Sequence, residues 1–86
     1  MEHNTQKSLT ENFSLQLFIS QGTRLHNMLV DSDDQIGSVK ESLKERAGIP
    51  VHQQDLLWGG KNLDDDRPFS YYGIRAGGFF NLQRKS

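Results

Sequence analysis

Few side chains in this chain are able to do chemistry, and they are scattered. Histidines stand at positions 3, 26 and 52, and no two have the i, i+4 spacing that puts both rings on one helix face. His52 and Asp55 are three residues apart, but no third or fourth ligand accompanies them, so no metal site is expected. Asp64, Asp65 and Asp66 are consecutive, whereas a calcium loop needs alternate acids and a central glycine. They are expected to cap the following turn and to solvate the loop. Gly59-Gly60-Lys61 lacks the upstream glycine and the following Ser or Thr of a phosphate loop. There is no cysteine, which excludes a thiol nucleophile, a disulfide and a thiolate metal site. No nucleophile stands paired with a base. The expectation is a protein with no catalytic residue, no metal and no cofactor, and hence not an enzyme.

What remains is the chemistry of contact. The chain has 86 residues, room for one small domain. Ten Lys and Arg face eleven Asp and Glu, for a formal charge of −1. That balance lacks the basic footprint of general nucleic-acid binding. No apolar run approaches the roughly 18–20 residues that span a bilayer. The N-terminus is polar and lacks a signal region, so an intracellular location is expected and the sequon Asn12-Phe13-Ser14 reads as chance. Residues 1–12 hold only Met1 and Leu9 as apolar groups. Ordering them would cost about 1–2 kcal/mol of backbone entropy per residue with little burial to offset it. A flexible polar tail is expected there, with the domain over 13–86. A domain of this size buries only about 60% of the surface its unfolded chain exposes. It suits a sheet packed on a helix better than a deep catalytic cleft, and a monomer is expected.

The elements follow from periodicity. Leu15, Leu17 and Ile19 alternate with Ser14, Gln16, Phe18 and Ser20, which predicts a strand over 13–20 with Phe18 facing outward. Gln21-Gly22-Thr23 is a hairpin turn. On the return strand, 24–30, His26, Met28 and Val30 are taken as inward, leaving Leu25, Asn27 and Leu29 outward. Asp33 or Asp34 is expected to cap a helix over 35–47, whose apolar stripe is Ile36, Val39 and Leu43. Glu41 and Lys44 are neighbours on its wet side. Gly48 and Pro50 end it. Residues 51–55 read as a loop, Leu56–Trp58 as a short strand, Gly59-Gly60 as a tight turn, and Lys61–Leu63 as a return strand. One helical turn is expected between Phe69 and Ile74, a further turn at Ala76-Gly77-Gly78, and a last strand over 79–84 with Phe80 and Leu82 on opposite faces. Strands around one helix make an α+β fold.

These residues resemble a known pattern. Gly48-Ile49-Pro50-x-x-Gln53-Gln54-x-Leu56, then Gly60-Lys61-x-Leu63-x-Asp65-x-Arg67, then Ser70-x-Tyr72-x-Ile74 is similar, without a gap, to the segment that follows the helix of ubiquitin. Ile36, Val39, Lys40 and Leu43 fit the same frame, and the likeness covers 14–85. The resemblance implies the ubiquitin-like β-grasp fold, a mixed sheet of four or five strands wrapped on one helix. It implies that the Tyr72 hydroxyl bonds backbone to close a loop. It also implies that Gln54 bonds backbone near the helix end, that Lys40 pairs with an acid, and that Gly60 stands where a side chain would clash.

Function is expected to lie in the departures. Ubiquitin-type modifiers act through a C-terminal diglycine, whereas this sequence ends Leu82-Gln83-Arg84-Lys85-Ser86. The resemblance therefore implies a non-conjugatable, non-covalent interaction module of the ubiquitin or proteasome pathway, with receptor-type protein partners. The alternatives are a modifier whose diglycine tail is removed or absent, and a nucleic-acid-binding domain of the same type. The family's apolar docking patch corresponds to Leu57 at its centre, with Asn81 and Gln83 as companions on the last strand and Gly60 beside them. Trp58, the only tryptophan, joins them as a candidate anchor. Phe18 and Phe79 form a second candidate apolar pair.

Overall fold

The computed structural model describes residues 14–74 and 78–85. The proposed tail at 1–12 and the turn residues Ala76 and Gly77 lie outside them. Strand β1, Ser14–Gln21, and strand β2, Arg24–Asp31, form the N-terminal hairpin. Helix α1 follows over Ile36–Ala47. A single 3-10 turn, Val51–Gln53, leads into β3, Gln54–Trp58. Strand β4 is Lys61–Asn62, a second 3-10 turn spans Phe69–Tyr72, and β5 is Gly78–Arg84. The five strands lie in the order β2-β1-β5-β3-β4, with β1 and β5 parallel and the other pairs antiparallel. This mixed sheet with one helix is the β-grasp.

The core follows the parity of the strands. Leu15, Leu17, Ile19, Val30, Leu56, Phe80 and Leu82 point inward and meet Ile36, Val39, Leu43 and Ala47 of α1 in one cluster. The inward choice for β2 holds: His26 and Val30 are buried and Met28 packs against the cluster. Phe80 and Leu82 do not point opposite ways. Both are buried, because positions two apart on a strand share a face. Phe69 plugs the end of the core with no exposure, its ring edge-on to Phe80 at 6.1 Å.

The start of α1 departs from the expected acidic cap. Its N-cap residue is Gln35, and no side chain bonds there. The Asp34 carboxylate instead accepts from the Asp31 N–H at 3.0 Å. The first free amides of the helix are taken by a distant loop: Ile36 N donates to Arg67 O at 3.0 Å and Gly37 N to Asp65 O at 2.9 Å. A Cβ at Gly37 would stand 3.2 Å from that Asp65 oxygen, which accounts for a glycine inside a helix. The loop read as solvated acids is therefore partly a helix cap. The C-terminal end is as expected, with Gly48 left-handed at φ 71° and its N–H on Lys44 O. Glu41 and Lys44 pair at 3.3 Å.

A buried polar knot ties α1 to β3. Lys40, 3% exposed, donates to Gln54 O at 3.0 Å and pairs with the Asp65 carboxylate. The Gln54 side-chain amide donates back to Lys40 O and to Ile49 O, each at 2.9 Å. These reciprocal bonds satisfy the Lys40 ammonium and the Gln54 amide nitrogen, while the buried Gln54 Oε1 is left without a hydrogen-bond partner. The Tyr72 hydroxyl accepts from Asp64 N at 2.7 Å and closes the loop between β4 and the second 3-10 turn.

Candidate functional site

The outer face of the sheet is read from the register. Leu57 lies opposite Asn81, and Asp55 opposite Gln83, so these four side chains share one side of the β3–β5 pair. Leu57 is half-buried, while Asn81 and Gln83 are exposed. The turn Gly59-Gly60 projects beside them, at φ 60° and 81°. Gly60 is not held by a clash: a Cβ there would meet nothing within 4 Å. What requires glycine is the left-handed backbone of the tight turn.

Of the five residues singled out from the sequence, Leu57, Asn81 and Gln83 meet on this face and Gly60 stands at its border. Trp58 falls on the opposite parity. It is half-buried against the core, with its indole nitrogen 3.9 Å from where a Cβ on Gly78 would sit. It therefore backs the sheet beneath the turn rather than standing next to Leu57.

The second apolar pair is assembled. Phe18 and Phe79 are register partners across β1 and β5, and their rings stack with centroids 5.2 Å apart. Phe79 is 71% exposed. Two further outer-face leucines, Leu25 and Leu29 on β2, are 56% and 69% exposed. Sequence reasoning placed both outward but did not count them as site residues, although two leucines four residues apart on one strand face were the available signal. The apolar surface thus extends from Leu57 across the Phe pair to β2.

Charge is arranged around this face. Lys85 pairs with Asp55 at 2.9 Å, and the lysine together with the Asn62 side chain holds the Asp55 carboxyl below the ordinary carboxylate range. The open hollow bounded by Lys40, Asn62, Asp64, Asp65 and Lys85 has its lysines already spent, Lys40 on Asp65 and Lys85 on Asp55. Among the described residues no cluster of three metal-ligating side chains forms, and no helix is long and apolar enough to cross a membrane.

At the far edge, the hairpin is latched to the end of α1. The Gln21 amide donates to Ala47 O at 3.0 Å, so its Oε1 faces His26 Nε2 at 2.7 Å and accepts from it. Arg24 donates to Arg46 O at 2.8 Å, and Arg46 donates to Asn27 O at 2.9 Å. Burial, then the charges of Arg24 and Arg46, hold the His26 imidazole below its ordinary value, which keeps it neutral in this latch.

Comparison with known proteins agrees with the geometry. The sequence model of the Ubiquitin family matches residues 17–86. Ubiquitin-like protein NEDD8 of Dictyostelium discoideum is 43% identical over 53 residues, which is 62% of this chain and 69% of that protein. Ubiquitin-like protein 4A-A of Salmo salar is 41% identical over 56 residues, 65% of this chain but only 36% of that longer protein. The UBL domain of Plasmodium falciparum Dsk2 superposes with a TM-score of 0.79 at 23% identity, over 85% of this chain and 100% of that one. AtBAG1, solved in complex with HSP70, gives 0.78 at 20% identity, over 83% of this chain and 40% of that one. At such identities the two structures speak for the fold alone.

Proposed function

The chain belongs to the ubiquitin family, and on that premise we propose that it is a non-covalent protein-interaction module docking through the outer face around Leu57. One observation carries this reading: a half-buried leucine sits directly opposite Asn81, with Gln83 and the Asp55–Lys85 pair at its rim, on a face that the helix does not cover. An apolar centre with a polar rim is the anatomy of a docking patch. Leu57 supplies the anchor. Asn81 and Gln83 offer side-chain amides that select among partners by hydrogen bonding. Gly60 lets a partner approach the turn closely. Trp58 supports the site from behind, stiffening β3 where it meets the turn. The partners fitting this face are receptor domains of the ubiquitin and proteasome type, met inside the cell.

The test is a ¹⁵N chemical-shift titration of the chain against a helical ubiquitin-interacting motif, a three-helix ubiquitin-associated domain and a proteasomal ubiquitin receptor. Shifts centred on Leu57, Gly60, Asn81 and Gln83 are expected with at least one of them. Silence across the panel from a well-dispersed spectrum would defeat the reading.

A further inference from the structure

The outward positions of β1, β2, β3 and β5 carry only two ionisable groups, Asp31 and Asp55, in a chain that is 24% charged. Asp55 is neutralised by Lys85. Asp31 stands at the end of the β2 edge, opposite Ser14, so a face so depleted in charge meets little like-charge repulsion when it meets itself. Its pattern is also palindromic. One cross-strand row reads Leu25, Ser20, Asn81, Leu57, and the next reads Asn27, Phe18, Phe79. Across the line between β1 and β5 the first row is apolar, polar, polar, apolar, and the second has an aromatic ring on either side.

We infer that this face pairs two copies of the chain, sheet against sheet, about a two-fold axis running along the strands between β1 and β5. Such a rotation exchanges β1 with the other copy's β5, and β2 with the other copy's β3, while preserving each residue's level along the strand. Leu25 then lies over Leu57 of the second copy, Ser20 over Asn81, and Phe18 over Phe79. The four rings form the centre and the hydroxyl–amide pairs flank them. Aligned sheets pack about 10 Å apart with their strands roughly 30° askew, so the match is tightest at the axis, where the rings are. Pairing instead through the β2 edge is opposed by Arg46, which already occupies the Asn27 carbonyl there. Seven side chains of each copy make up the two rows, against about 20–30 residues a side in a standard interface, so the association is weak. The inference rests on the same face as the docking reading, and both uses cover Leu57, so self-association competes with partner binding.

The experiment uses the 86-residue chain. Sedimentation equilibrium between about 10 µM and about 1 mM should show the mass rising from 9.8 kDa toward twice that value. Phe79→Asp and, separately, Leu25→Lys should each weaken the association at least tenfold with unchanged far-ultraviolet circular dichroism, since both side chains are exposed. In a mixture of isotope-labelled and unlabelled chain, an intermolecular NOE should link the Leu25 and Leu57 methyls. Within one copy these lie three strand spacings apart, about 14 Å, too far for such a signal. A single 9.8-kDa species at every concentration overturns the inference, as does an intermolecular NOE joining Leu25 to Leu29, which would mean edge pairing. A monomer that still shifts at Leu57 in the receptor titration sinks the dimer alone. A dimer that is silent there sinks only the receptor reading.

Discussion

The two faces of the sheet are written on the same strands and hold different kinds of apolar residue. The inner face is continuous: Leu15, Leu17, Ile19, Leu56, Phe80 and Leu82 are each at most 3% exposed and close on α1. The outer face carries leucines and phenylalanines too, but leaves Leu25, Leu29 and Phe79 more than half exposed among Ser, Asn and Gln. Burial on folding makes the first set a stability device. The second set gains little from folding and is left to gain from association. Hydrophobic character alone does not distinguish them; parity does.

Neighbouring residues break or sharpen that contrast most directly. Phe80→Ala should cost about 3–5 kcal/mol, because it empties a buried ring site. Phe79→Ala, one residue away, should cost less than about 1.5 kcal/mol, the value of its stack on Phe18. Urea midpoints of the two variants measure the difference, and equal costs would erase the distinction between the faces. The pair Leu56→Ala and Leu57→Ala repeats the comparison on β3. The former should lose about 2–5 kcal/mol. The latter should keep its fold and lose receptor binding in the titration; a collapsed spectrum would place Leu57 in the core.

The polar ties give smaller effects. Lys40→Ala strips the buried Gln54 carbonyl of its donor and should cost about 1–3 kcal/mol by chemical denaturation. Tyr72→Phe removes only the bond from Asp64 N and should cost about 1 kcal/mol.

The pH dependence should be the smallest effect. His26 has its imidazole value lowered in the fold, so the unfolded chain takes up the proton first as pH falls. Its contribution is full above the ordinary value near 6.5 and is lost as pH drops through the folded value. Asp55, whose carboxyl is also held low, adds a loss of the same sign further into acid. Urea midpoints measured from pH 7.5 to 5 should fall in the parent and stay flatter in His26→Gln.

Much of this was legible in the residues. Alternation in β1 and β2, the stripe Ile36, Val39, Leu43, and the stop at Gly48 and Pro50 are local signals, and each element stands within a few residues of its expected place. The motif from Gly48 to Ile74 carried the fold and the Tyr72 bond, and the helix residues in the same frame carried the Lys40 pair. The helix cap was misread because its acceptors, Asp65 O and Arg67 O, come from a loop some thirty residues further on, and no local spacing announces them. Trp58 was grouped with Leu57 by adjacency, whereas strand parity separates adjacent residues.

The sequence by itself determined the period of each element, the lack of cysteine chemistry, the near-neutral charge and the membership in a family, because these depend on residue type and short spacing alone. Only the tertiary structure decided which outward residues become neighbours. The crossover that lays β5 between β1 and β3 brings Phe79 onto Phe18 and Asn81 onto Leu57. Pairings between strands as far apart in the chain as β1 and β5 are set by the register of the whole sheet, and that register is fixed by burial of the opposite face.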